Sequence, residues 1–282
     1  MITIDLRKED SLFFKKFSYP DGQQNVVINI YEKHYQIVSS FNNFQHLELI
    51  ICAVTAIRNL NNRANIILYI PYLLGARSDR QFQNGGTKYL KDVIAPILNS
   101  LHLEEIICYD VHNEVLADAC INNLTCLTNY TFVESILKTR TNYCICSPDA
   151  GSEKKIYELC KYLKFTGDLI KCQKIRELST GKIIETKVDT TIVDLQNKDV
   201  YIIDDICDGG RTFIEIAKRL KLLNCGNLYL VVSHGIFHNG FSELKEYFKN
   251  VYTTNSFYSD EKHIKILEQF SGIKDYVKII NI

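Results

Sequence analysis

An excess of charge of either sign is missing from this chain: its 282 residues carry 33 Lys plus Arg against 33 Asp plus Glu. With no net charge there is no global field to draw in nucleic acid or an anionic membrane, which argues against a polyanion-binding protein. Long hydrophobic runs are missing too. No apolar stretch approaches the ~20 residues that span a bilayer, and the opening MITIDLRKED lacks the apolar centre of a signal peptide. Proline is scarce, four in all, and no low-complexity tract appears, so a long disordered linker is not expected. Zinc-type spacing is absent among the ten cysteines. They read as reduced small hydrophobes, and Cys144 and Cys146 as two positions on one face of an apolar strand. What remains is a soluble, cytosolic protein whose 46% hydrophobic content supplies a core for one large domain or, in the preferred reading, two modest ones.

Strand and helix patterns alternate throughout, which predicts α/β architecture with mainly parallel sheets. Four apolar runs end in polar residues: NIILYIPY (65–72) before GARSDR, EEIICYD (104–110) before VHNE, YCICSPD (143–149) before AGSEKK, and VYIIDD (200–205) before ICDGGRT. Four such edges suggest two similar halves, with the division near Thr141. The stretch 44–60 reads as a mostly buried helix and 152–163 as a second one.

The stretch VYIIDDICDGGRTFIEIAKRL (200–220) is the richest in chemistry. A continuous β-branched and aromatic run marks a buried parallel strand, and polarity switches at Asp204 and Asp205, placed at its carboxyl end. In an open α/β sheet that end borders the ligand crevice, where paired carboxylates accept hydrogen bonds from vicinal hydroxyls or hold a metal through water. Gly209 and Gly210 let the backbone turn tightly and aim N–H groups, with Thr212, at an anion over the next helix. Phe213, Ile216, Ala217 and Leu220 supply that helix's apolar face. The competing reading is an ordinary strand-to-helix turn.

This stretch resembles the phosphoribosyl-pyrophosphate loop shared by phosphoribosyltransferases and ribose-phosphate diphosphokinases. PYLLGARSDRQ (71–81), YDVHNE (109–114), CSPDAGSEK (146–154) and KIRELSTGKI (174–183) follow the order of the diphosphokinases. YPDGQ (19–23), SHGIF (233–237) and TTNS (253–256) complete the series, so the resemblance to the ribose-phosphate diphosphokinase family covers nearly the whole chain. It implies two tandem phosphoribosyltransferase-like domains, 1–141 and 142–282, each a mainly parallel sheet flanked by helices.

By the same resemblance Asp204 and Asp205 hold the ribose, and Asp208, Gly209, Gly210, Arg211 and Thr212 wrap its phosphate. Lys174 and Arg176 belong to a mobile catalytic flap; cations there meet the charge that phosphoryl transfer pushes onto the leaving group, and closure excludes water. For a lone K-x-R the competing reading is a solvated basic loop. Arg77 and Asp79 fall in the ATP-binding segment. His112 and Asp149 match the metal positions and imply Mg2+; a surface histidine and a helix-capping aspartate are the competing readings. YPDGQ resembles a loop that reaches the adenine of a neighbouring subunit, with Tyr19 stacking, Gln23 reading the base edge, and Asp21 between them. It implies a homodimer or hexamer with shared active sites.

The expected reaction is ATP-dependent diphosphoryl transfer to ribose 5-phosphate. A larger acceptor such as ADP-ribose is the alternative, since Arg211 could meet a second phosphate and Gly209 removes a side chain that would crowd a diester. A phosphoribosyltransferase and a catalytically silent regulatory subunit are the remaining readings. Residues 81–90, QFQNGGTKYL, lack the family's basic cluster, which leads to the expectation of weak control by phosphate and ADP.

Overall fold

The structure is a computed structural model that describes residues 1–78, 81, 84–176, 183–188, 194–258 and 276–282, with the backbone alone at 174–176 and 183–186. Asp79 and the Ser-Thr-Gly turn at 179–181 lie outside the described residues. The chain forms two compact units. The first takes residues 1–128 and the described part of 256–260; the second takes 129–255 and 276–282. The contacts therefore divide at 128/129, where the sequence reading put Thr141.

In the first unit, β1 (Ile2–Asp5), β4 (His34–Val38), β5 (Asn65–Tyr69), β6 (Glu105–Tyr109) and β7 (Leu124–Leu127) form a five-stranded sheet in that order, and every pairing is parallel. A separate antiparallel hairpin joins β2 (Phe14–Ser18) to β3 (Gln24–Ile28). Helix α1 (Phe44–Leu60) runs over the whole stretch expected from its apolar spacing. Asn43 caps it by accepting the His46 N–H, and Leu47, Ile50, Ala53, Val54 and Ile57 bury its inner face. Burying each large aliphatic side chain there is worth about 1.5–3 kcal/mol. A π-helical turn, Leu90–Ile94, leads into α2 (Ala95–Ser100), and α3 (Glu114–Cys120) follows β6.

The second unit opens with α4 (Tyr130–Leu137) and then builds a seven-stranded sheet. Its strands are β8 (Tyr143–Ser147), β9 (Leu169–Arg176), β10 (Ile183–Val188), β11 (Asp199–Cys207), β12 (Leu228–Gly235), β13 (Phe248–Thr254) and β14 (Val277–Ile280), in the order β10-β9-β8-β11-β12-β13-β14. All pair in parallel except β9 with β10, an antiparallel ribbon at the edge. Helix α5 (Glu153–Tyr162) follows β8, α6 (Arg211–Leu222) follows β11, and α7 (Ser242–Tyr247) precedes β13. β12 is buried at every position, as a central parallel strand covered on both faces must be. The ten cysteines are all free thiols, and Cys144, Cys146 and Cys172 sit in the core that also holds Phe213 and Ile216 of α6.

Candidate functional site

The register of the second sheet decides which residues share an edge. Cys146 of β8 stands level with Ile202 of β11 and Ile170 of β9. Toward the carboxyl end from that line, β8 stops at Ser147, β11 continues through Asp204 and Asp205 to Cys207, and β9 continues through Lys174 to Arg176. Because the three strands are parallel, Asp149 after β8, Lys174 and Arg176 on β9, and the acid pair on β11 all lie at the carboxyl edge of one sheet. That edge is where open α/β sheets bind ligands. Two open surface clefts, of about 390 and 470 Å³, are lined by residues at the opposite, amino ends of β8, β9 and β11 and by α5, and hold none of these residues.

The strand itself runs further than its polarity suggested. Asp204 and Asp205 lie inside β11, not beyond it, because β12 keeps pairing with it as far as Cys207 opposite Gly235. β8 has already ended there, so one flank of the acid pair carries no ladder partner from β8. Asp205 is buried and Asp204 half-buried. Burial first, and then the charges of Asp205 and Asp149, hold the Asp204 carboxyl well above the ordinary carboxylate range. The charges of Asp205 and Asp149 both act on Asp204, and carboxylates paired in this way can accept hydrogen bonds from hydroxyl donors.

The turn after β11 is set up for an anion. Gly210 sits at φ +80° as the residue preceding α6, a left-handed conformation that costs an L side chain energy and glycine little. The carbonyls of Cys207, Asp208 and Gly209 are taken up by the segment 236–239. Ile236 and Phe237 N–H donate to Cys207 O at 2.9 and 3.1 Å, His238 N–H to Asp208 O at 3.0 Å, and Asn239 Nδ2 to Gly209 O at 3.2 Å. In a trans peptide the N–H points opposite its carbonyl, so the following amides turn away from that segment. Among the described residues the N–H groups of Gly209, Gly210, Arg211 and Thr212 donate to no protein acceptor. The last two are also the open N–H groups of a 12-residue helix, where the helix dipole favours negative charge.

Gly209 also lies against a side chain. A Cβ built there would meet Asn239 Nδ2 at 2.8 Å, so the missing side chain makes room for Asn239. Arg211 is exposed at the first position of α6 and forms no ion pair among the described residues.

At the end of β8 the carboxylate of Asp149 accepts the Ser152 N–H at 3.1 Å, and Ser152 Oγ donates to the Asp149 carbonyl at 2.9 Å. Asp149 thus holds its own turn as well as facing Asp204. In the first unit His112 is exposed in the turn between β6 and α3, whose cap is the neighbouring Asn113 accepting the Leu116 N–H. Arg77 is exposed after the turn that follows β5. Tyr19, Asp21 and Gln23 form the exposed tip of the β2–β3 hairpin, closed by Tyr19 N–H to Gln23 O at 2.8 Å, Gly22 N–H to Tyr19 O at 2.9 Å and Gln23 N–H to Asp21 Oδ1 at 3.1 Å. Asp21 is therefore engaged in its own turn. No described helix is long and apolar enough to cross a membrane. Among the described residues no three His, Cys, Asp or Glu side chains converge as a metal cage.

Asn239 is the residue that the sequence reading missed. It lies two positions beyond SHGIF, and its partner Gly209 is 30 residues away, so no local pattern announces the contact.

The fold is α/β, with two phosphoribosyltransferase-like domains of parallel sheets flanked by helices. The solved phosphoribosylpyrophosphate synthetase from Mycobacterium smegmatis superposes with a TM-score of 0.75 over 95% of this chain and 85% of that one, at 14% identity, a likeness of fold. In sequence, Ribose-phosphate pyrophosphokinase 2 of Archaeoglobus fulgidus is 26% identical over 223 residues, 79% of this chain and 75% of that protein. The ribose-phosphate pyrophosphokinase of Haemophilus ducreyi is 26% identical over 196 residues, 68% of this chain and 59% of that protein. No protein-family model matches the sequence. Over most of its length the chain is thus similar in sequence to ribose-phosphate pyrophosphokinases, and in fold to a phosphoribosylpyrophosphate synthetase.

Proposed function

We propose that the protein transfers the β,γ-diphosphoryl group of ATP to the 1-hydroxyl of ribose 5-phosphate, giving phosphoribosyl pyrophosphate and AMP. The O1–Pβ bond forms as the bond from Pβ to the bridging oxygen of AMP breaks, so charge builds on AMP. The observation that carries this reading is the common carboxyl edge of β9, β8 and β11, which brings a K-x-R strand and an acid pair to one side of one sheet. Asp204 and Asp205 engage the ribose hydroxyls. The N–H groups of 209–212 and the Thr212 hydroxyl hold the 5-phosphate. Lys174 and Arg176 counter the charge of the transition state.

Mg2+, when bound, would neutralise phosphate charge; Asp149 and the Asp204–Asp205 pair would offer the hard oxygen donors it takes, and His112 is the ligand implied by resemblance. Arg77 and Asp79 bind ATP, and Tyr19, Asp21 and Gln23 serve the adenine of a neighbouring subunit in a homodimer or hexamer. The setting is the cytosol.

A second reading keeps the chemistry and changes the acceptor to ADP-ribose. It is favoured by Arg211, an exposed cation beside the phosphate seat with no ion-pair partner among the described residues. Incubation of the protein with ATP, Mg2+ and each acceptor in turn, following AMP and the diphosphorylated sugar, separates the two. Formation of AMP with neither acceptor, or base-dependent release of pyrophosphate without ATP, overturns both.

A further inference from the structure

We infer that the loop between β12 and α7, through Asn239, is the positioning element of the 5-phosphate seat. This rests on the reading of 208–212 as that seat and adds a residue to it. A glycine-bearing turn is conformationally loose by itself, and fixing its residues costs entropy that ligand binding must otherwise supply. Here the order is supplied by the protein. Four donors from 236–239 hold three successive carbonyls, 207 to 209, and each bond fixes one peptide plane of the turn. The Asn239 bond fixes the Gly209–Gly210 peptide, whose N–H is the second of the four open donors.

The loop is itself anchored. Phe237 is buried against Phe241, ring centroids 4.6 Å apart, and takes a positive φ of 49° that directs the chain back over the turn. Asn239 is exposed and lies close to Gly209: a Cβ at 209 would meet Asn239 Nδ2 at 2.8 Å, so an alanine there displaces the amide from its bond to Gly209 O. Gly209 and Asn239 therefore act as one unit: the glycine admits the amide, and the amide holds the glycine's carbonyl.

The test compares Asn239→Ala, Asn239→Asp, Gly209→Ala and the double variant Gly209→Ala/Asn239→Ala with the unaltered enzyme. Thermal unfolding of each is recorded, and binding of ribose 5-phosphate is measured calorimetrically without ATP. Asn239→Ala should raise the KM and Kd for the sugar phosphate roughly tenfold, the size of one lost hydrogen bond that orders a donor, while kcat and the KM for ATP stay within about twofold. Asn239→Asp should lose more than Asn239→Ala, because a carboxylate then faces both Gly209 O and the phosphate. Gly209→Ala should be at least as impaired as Asn239→Ala, and the double variant should be no worse than Asn239→Ala alone, since the clash partner is gone. Equal sugar-phosphate binding by the unaltered enzyme and both Asn239 variants overturns the role of Asn239. Additive losses in the double variant do the same. If the unaltered enzyme binds no sugar phosphate at all, the reading of the seat fails and takes this one with it. Should Gly209→Ala fail to fold, the ranking of the two Asn239 variants decides.

Discussion

The amide N–H of Asp205 donates to Oδ1 of Asp204 at 3.0 Å, so neighbouring acids on one strand are joined by a hydrogen bond while their charges repel. Burial, then Asp205, then Asp149 hold the Asp204 carboxyl well above its ordinary value of 3.8. A carboxyl whose pKa is raised on folding lends its full stability only below the unfolded value, and that stability is lost as pH rises from about 4 through the folded pKa. Asp204→Asn removes this loss. The variant should match the unaltered protein near pH 4 and melt roughly 2–5 °C higher at pH 7, while losing diphosphoryl transfer. A melting difference that does not change between pH 4 and 7 would count against the charge repulsion.

The same acids make a prediction for Mg2+ that does not depend on turnover. If a divalent cation relieves their repulsion, millimolar Mg2+ should raise the melting temperature of the unaltered protein more than that of Asp204→Asn or Asp149→Asn. Equal shifts in all three would place the cation elsewhere.

Lys174 and Arg176 lie on β9, opposite Thr186 and Ile183 of β10. Alanine at either position removes a cation offered to the transition state, so kcat should fall about 10²–10³-fold, with the KM for ribose 5-phosphate changed far less. Unchanged AMP release by Lys174→Ala would defeat the role of this ribbon.

Periodicity and polarity made much of this fold legible. The helix 44–60 was readable because its apolar spacing is local, and the four strands ending in polar residues appear as β5, β6, β8 and β11. What was not legible is non-local. β11 extends past its acids because β12 pairs with it to Gly235, and a neighbour's length is not written in VYIIDD. The contact of Gly209 with Asn239, 30 residues on, is likewise non-local. Asp149 carries a turn bond and faces Asp204 together, so choosing between a cap and a functional acid from S-P-D-A-G poses a false alternative.

Residues 81–90 lack a basic cluster, and a site that cannot concentrate anions cannot make activity depend on free phosphate. Activity with phosphate removed enzymatically should be at least half of that at 10–50 mM phosphate, roughly the range in which weak anion sites fill. Strict dependence on phosphate would show a regulatory site built from other residues.

The hairpin tip bearing Tyr19 and Gln23 is exposed and shaped by its own hydrogen bonds, and its base is held to α1 where the Gln24 N–H donates to Glu48 Oε1 at 3.1 Å. An ordered aromatic tip of this kind suits a neighbouring subunit's adenine, since a ring stacked on a base gives contact area at small entropic cost. If each active site takes its tip from one chain and its flap from the other, two defects in different chains can complement. Tyr19→Ala should raise the KM for ATP about tenfold, and Lys174→Ala should lower kcat about 10²–10³-fold, as above. Co-expressed at equal levels, half of the dimers pair one chain of each kind, and each such dimer keeps one site with both groups intact. Activity at low ATP should then recover to about a quarter of that of the unaltered enzyme, by the statistics of a two-fold assembly. Activity no greater than the mean of the two parents would mean that each site is built within a single chain.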